Sequence, residues 1–239
     1  MRYVRDTTHR LRLRPHFEPK ELDDECEQII ATFMQDLHGS LTFPLNTDDL
    51  TKLIERDAAN LDLYADLTHE GADVEGVTYF QPNQKPIVRI SNRLSEENQS
   101  ENRLRTTLTH EYGHVKFHAP LWQVEDTSSL ALFSDVPPAT IQKCRRSTIA
   151  HASTTDWMEW QAGYVCGAVL MPVSSVRKLV QSYFERYNLY APLNQAMPAV
   201  RNLINQIAVH FAVSQDAARV RLIKLGYLTD QDVGPTLFG

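Results

Sequence analysis

Apolar positions recur along most of this chain at the three- and four-residue spacing of an amphipathic helix. Leu22, Cys26, Ile29, Ile30, Phe33, Met34 and Leu37 form one such stripe, closed by Gly39. Thr47 can cap a second helix carrying Leu50, Leu53 and Ile54. A third, starting at Asn98 or Ser100, carries Leu104, Leu108, Val115 and Phe117. Thr155 can cap a fourth, with a body from about Asp156 to Met171 and a stop at Pro172. It is apolar on nearly every face after Ala162, which predicts a core helix. Val176, Leu179, Val180 and Tyr183 mark the next helix, and a Pro- and Asn-rich loop follows over 188–198. Then come a helix with Val200, Leu203, Ile204, Ile207, Ala208 and Phe211, and one capped by Ser214 that carries Ala217, Val220 and Leu225 before Gly226.

Strand patterns are fewer. Residues 76–80 and 86–91 read as two strands joined through Pro82–Pro86, with Asn83 in the turn. RLRLRPHF near the start alternates like a short strand or an extended arm. The pattern predicts an α+β fold, a mostly helical core with a small antiparallel sheet. Three parts are expected: a helical region over 1–70, a core over 71–185, and a helical, helix-turn-helix-like subdomain over 199–228.

Composition narrows the class. A chain of 239 residues, 42% hydrophobic, can bury one good core, and 23% charge argues against disorder. The net charge of −6 disfavours wholesale nucleic-acid binding and leaves a local basic face as the place for it. Arg219, Arg221 and Lys224 on the last helix can face phosphates, but an ordinary solvated basic face of a helical subdomain is the preferred reading, so nucleic-acid binding through 199–228 is not expected. Cys26, Cys144 and Cys166 are odd in number and irregularly spaced, as in a reducing cytosol. No signal peptide is visible, and the longest apolar run, Ala162 to Val173, is too short for a membrane span. A cytoplasmic protein is expected.

The densest chemistry lies in HEYGHVKFH, residues 110–118. On a helix, His110 and His114 leave one face about 6 Å apart along the axis, so two imidazole nitrogens can converge on one Zn²⁺. Glu111 projects beside them, where a carboxylate can act as general base toward a water. Gly113 weakens the helix by roughly 1 kcal/mol, a cost consistent with close backbone approach at the metal. A catalytic zinc needs a third protein ligand. His118 lies about 12 Å along the axis from His110, too far to share one ion, and is expected behind the ligands or in the cleft wall. Asp156 is explained as a negative charge at a helix N-terminus. Glu159, one turn deeper in an apolar helix, has no such explanation, and a buried carboxylate is costly unless paired or metal-bound. Glu159 is therefore the expected third ligand. Tyr112, Tyr164, His151 and His210 remain open as oxyanion stabilisers.

Three separated stretches resemble the ImmA/IrrE family of bacterial metallo-endopeptidases. VEGVTYFQPNQKPIVRIS (74–91) looks like its paired strands, and NRLRTTLTHEYGHVKFH (102–118) like its zinc helix. EWQAGYVCGAVLMP (159–172) looks like its E-x-x-A-N-x-F-A-x-x-L-L-M-P helix, which supplies the third ligand. IAVHFAVSQDAARVRLIKLGYL (207–228) is similar to the helical tail of many members. Gly163, Val165 and Cys166 depart from the usual Asn or Asp, Phe and Ala, and Gly163 removes the side chain behind one supporting hydrogen bond near the zinc. Residues 119–154 look like an insertion that could form a lid or a substrate wall. The resemblance implies a zinc-dependent endopeptidase with His110, His114 and Glu159 as ligands and Glu111 as base. It also implies a specific protein substrate, such as a helix-turn-helix repressor or antitoxin-like regulator encoded nearby. The rival reading is a regulatory DNA- or protein-binding module with a structural or vestigial zinc site.

Overall fold

The computed structural model describes residues 1–8, 10–96, 101–122, 140–145 and 156–229. It is an α+β fold built around one long apolar helix. That helix, α5 (Trp157–Leu170), buries residues on all sides, as its composition requires. Helix α1 (Pro19–His38) lays Leu22, Cys26, Ile30, Phe33 and Met34 into the same core and ends at Gly39, whose φ of 71° needs no Cβ. Helix α2 (Thr47–Asp57) is capped by Asn46, whose side chain accepts from the Asp49 N–H, so the cap falls one residue before the expected Thr47. Helix α3 (Asn92–Glu96) precedes α4 (Glu101–Gly113), and α6 (Val173–Tyr187), α7 (Pro198–Phe211) and α8 (Gln215–Lys224) complete the helical set.

More strands form than the pattern suggested. Inside the region expected to be helical, β1 (Arg2–Arg5) and β2 (Leu13–His16) pair antiparallel, which resolves the alternating N-terminal segment as half of a hairpin. The main sheet has the order β3-β5-β4-β6, from β3 (Asn60–Ala65), β4 (Val74–Phe80), β5 (Ile87–Ser91) and β6 (Thr140–Arg145). The predicted pair, β4 and β5, is antiparallel, with Asn83 at φ 58° in its turn. β3 adds to β5 in parallel, so the sheet is mixed. β6 adds to the other edge of β4, antiparallel. A two-stranded parallel ladder of β7 (Leu193–Asn194) and β8 (Leu228–Thr229) ties the loop before α7 to the end of α8.

The last two helices join the main core: Val200, Leu203, Ile207, Phe211, Ala218 and Leu222 belong to the cluster that holds Leu22, Leu108 and Val165. Arg221 corrects the expectation of a phosphate-facing residue. It is 1% exposed, donates from Nη2 to Asp23 Oδ1 at 2.7 Å and from Nε to the Met171 carbonyl at 3.1 Å. Arg219 is paired with Asp216 at 2.8 Å, and the Lys224 ammonium lies 5.1 Å from the Tyr164 ring centre. No helix among the described residues is long and apolar enough to cross a membrane.

Candidate metal centre

Helices α4 and α5 carry the site because they pack unusually closely. A Cβ at Gly113 would stand 2.9 Å from the Ala162 Cα, so the contact depends on glycine and accounts for its place inside the motif. This closeness brings α5 within reach of the motif. Glu159 Oε2 lies 3.2 Å from His110 Nε2, Glu159 Oε1 lies 3.3 Å from His114 Nε2, and the two Nε2 atoms are 3.3 Å apart. Four tetrahedral ligands at ~2.0–2.1 Å from a metal would stand about 3.3–3.4 Å from one another. The two Nε2 atoms stand at that spacing, and each has one of the two Glu159 oxygens at 3.2–3.3 Å.

The donor chemistry agrees with the distances. His110 and His114 are fully buried, and both carboxylate oxygens of Glu159 are buried without a hydrogen-bond partner among the described residues. The carboxylate thus sits close to two imidazoles without hydrogen-bond alignment. Burial pushes the Glu159 carboxyl up, and the His114 and His110 rings outweigh it, holding the carboxyl well below its usual range. His110, His114 and Glu159 lie close enough to bind one metal ion.

A chain of hydrogen bonds behind the site fixes one ligand's tautomer. The Pro15 carbonyl can only accept, so it takes a hydrogen bond from Gln161 Nε2 at 3.0 Å. Gln161 Oε1 then accepts from His118 Nε2 at 3.0 Å. With its proton there, a neutral His118 presents a lone pair at Nδ1, which lies 2.9 Å from His114 Nδ1. Burial, then the neighbouring His114, hold His118 well below its usual pKa and so neutral. His114 therefore donates from Nδ1, so that in its neutral form Nε2 carries the lone pair facing the centre; burial disfavours its charged form, but Glu159 outweighs burial and raises its pKa. His118 stands behind the ligands, as its distance along the helix predicts. The helix widens into one π turn over His114–His118, where this contact forms.

Glu111 is fully buried on the same face. Thr78 Oγ1 on β4 donates to its Oε2, while Oε1 has no partner among the described residues. A Cβ at Gly76, also on β4, would come within 2.5 Å of that Oε1, so the strand leaves a bare backbone beside the carboxylate. Burial raises the Glu111 carboxyl above its ordinary pKa, although His114, His110 and Thr78 pull the other way. A carboxylate with one tethered and one free oxygen, and raised basicity, is fitted to accept a proton.

Other sequence candidates go elsewhere. Asp156 caps α5 in place of Thr155, accepting from the Met158 and Glu159 N–H groups and pairing with Arg10 at 2.6 Å. Tyr112 gives its hydroxyl to Asp57, Tyr164 to Asp23, and His210 stacks near Phe43 and Phe211. Thr155, His151, Asn98, Ser100 and most of the 119–154 segment lie outside the described residues. Gly76, Thr78, Cys144 and Gln161 were not anticipated. Gln161 had a signal, since it is a polar residue on the same apolar helix as Glu159.

No protein-family model matches the chain, and no curated protein matches it. The functional reading therefore rests on the site and on the sequence resemblance.

Proposed function

We propose that the chain is a cytoplasmic zinc-dependent endopeptidase that cuts a specific partner protein, a transcriptional repressor or antitoxin-like regulator. The carrying observation is the convergence of two imidazole Nε2 atoms and the two oxygens of the Glu159 carboxylate, close enough to bind one metal ion, beside a second buried carboxylate with a free oxygen. Two imidazoles and one carboxylate suit Zn²⁺ among the common metals. The resemblance to ImmA/IrrE peptidases supports the same ligands and supplies the substrate class.

Bound by His110, His114 and Glu159, Zn²⁺ would supply Lewis acidity toward a water and toward the scissile carbonyl. The Pro15–Gln161–His118 chain keeps the His114 ring turned so that Nε2 stays available. Glu111 takes the proton of the attacking water at Oε1, and the same oxygen returns it to the leaving amine nitrogen. Thr78 holds the other oxygen, so the carboxylate does not rotate away during the transfer. Gly76 leaves the space in which Oε1 works.

A second reading, a regulatory module with a structural metal, draws on the Cys144 thiol near His110, because structural sites are usually closed by a fourth protein ligand. Glu111 argues against it, since a closed structural site has no use for a base. Glu111→Gln distinguishes the two. The variant should keep one zinc per chain and cut the product of the neighbouring gene on the order of 10²–10⁴ more slowly than wild type. Equal cleavage by both proteins would remove Glu111 from the mechanism, and no cleavage by wild type against any adjacent regulator would favour the structural-metal reading.

A further inference from the structure

The site is sealed. His110, Glu111 and His114 are each fully buried, and the Glu159 side chain is 13% exposed, so among the described residues no open groove leads a protein substrate to Glu111. Something beside the site has to leave before a peptide can enter. Helices α4 and α5 supply the ligands themselves and cannot leave without dismantling them. β4 provides Thr78 and Gly76 to Glu111 and is paired on both sides. Of the two main-sheet strands at the site, β4 and β6, only β6 is an edge strand held on one side.

The register of β6 makes its position specific. Cys144 pairs with Gly76, the residue whose bare backbone faces Glu111. The Cys144 side chain is fully buried, and its sulfur lies with ligand atoms of His110 and Glu111 in a cluster whose members are all within 4.8 Å. Glu111 Oε1, buried and unpartnered, belongs to the same spot. Along the strand, Gln142 and Cys144 face inward while Ile141 is exposed and Lys143 reaches Glu70 at 2.8 Å.

An extended substrate segment gains affinity by adding a strand to a sheet edge. To reach Glu111 while pairing with β4, it must use the edge that β6 holds, because β5 occupies the other. Pairing on the outside of β6 would set the substrate one strand farther away, about 4.8 Å. We propose that β6 is an internal blocking strand, lying on β4 in the substrate's place with the Cys144 side chain filling the reaction space, so that the peptidase is latent until β6 is displaced. This rests on the metallopeptidase reading for its purpose. The covering of the site by β6 can be measured separately.

Lys143→Pro fixes φ at about −65° and removes an N–H within β6, straining the strand against β4 at a residue whose side chain points outward, and Lys143→Ala controls for loss of the Glu70 pair. The zinc-loaded full chain is compared by three readouts: zinc content, rate of zinc transfer to excess chelator, and iodoacetamide labelling of Cys144 resolved by peptide mass spectrometry. Lys143→Pro should keep its zinc, while chelator transfer and Cys144 labelling rise on the order of tenfold or more. Lys143→Ala should stay near wild type. Unchanged labelling and transfer in Lys143→Pro would overturn the proposal. A chain that binds no zinc would instead overturn the metallopeptidase reading, and Cys144 labelling would still report whether β6 covers the cluster. Should Lys143→Pro fail to fold, Cys144→Ala carries the test: faster chelator transfer is expected, and an unchanged rate overturns the proposal.

Discussion

Two buried polar clusters share the core of this protein, and they are built on opposite principles. In one, Asp23 meets Arg221 and Tyr164: Oδ1 accepts from the guanidinium at 2.7 Å and Oδ2 from the hydroxyl at 2.8 Å. Donor faces acceptor, and the charges cancel inside the protein. In the other, a carboxylate and two imidazole nitrogens stand 3.2–3.3 Å apart with both carboxylate oxygens lacking a hydrogen bond. There one carboxylate faces two imidazoles that converge on it. Both clusters pin α5, the first to α1 and α8 and the second to α4. The first is self-contained, whereas the second gathers a buried carboxylate and two imidazoles close enough to bind one metal ion.

The largest effect on stability should come from the self-contained cluster. Arg221→Ala leaves Asp23 buried without its ion pair and should cost about 3–5 kcal/mol in denaturant unfolding. Zinc stoichiometry of the folded fraction should not change. A loss smaller than that of an ordinary surface substitution would mean that the pair does not hold α8 on the core.

His118→Ala tests whether the chain of hydrogen bonds behind the second cluster acts on the metal. Zinc affinity, measured by chelator competition, should fall roughly 10–100-fold, and Gln161→Ala should move it in the same direction. A change in unfolding midpoint with unchanged affinity would make His118 a packing residue only.

The N-terminal hairpin reaches the site through Pro15, and Asp6 locks that hairpin to α5. It is buried and accepts from the Thr8 and Leu11 N–H groups and from Trp157 Nε1 at 3.1 Å. Burial raises its carboxyl, and the hydrogen bonds from Thr8 and Leu11 with the charge of Arg10 outweigh that, so its pKa lies below the ordinary value. A lowered folded pKa stabilises above the unfolded value near ~3.9 and loses that stability as pH falls through the folded one. Asp6→Ala should therefore cost about 1–3 kcal/mol near pH ~7. The gap to wild type should narrow at acid pH; a constant gap would show that the charge of Asp6 is not what holds the hairpin.

The smallest effect belongs to Asp156. As the α5 cap it should contribute about 0.5–2 kcal/mol, and Asp156→Ala should lower the unfolding midpoint while zinc content stays at wild type. Loss of zinc would place Asp156 in the metal site instead.

The convergence of His110, His114 and Glu159 was legible because helix periodicity is local. His110 and His114 share a face by spacing alone, and Glu159 stood out as a carboxylate in an apolar helix. The same reasoning applied to Gln161, a buried polar residue two positions on, would have found the support for His118. Gly76, Thr78 and Cys144 come from strand pairing across long sequence separations. β6, TIQKCR, is too short and polar to read as a strand on its own, and β3, NLDLYA, carries Asp62 in its middle. The burial of Arg221 was not legible either, since a basic residue on a helix near the chain end looks solvated until its partner, Asp23, is placed beside it. The caps at α2 and α5 are Asn46 and Asp156, whose side chains accept from first-turn N–H groups.

The central claim is that the second cluster is a metal site completed by Glu159. The direct measurement is zinc per chain, by elemental analysis after exhaustive dialysis, for wild type and Glu159→Ala side by side. One zinc in the wild type and a small fraction of that in a folded Glu159→Ala is the expected result, because two imidazoles alone make an incomplete site. A metal-free wild type, or a Glu159→Ala protein that retains a full zinc, would contradict the account.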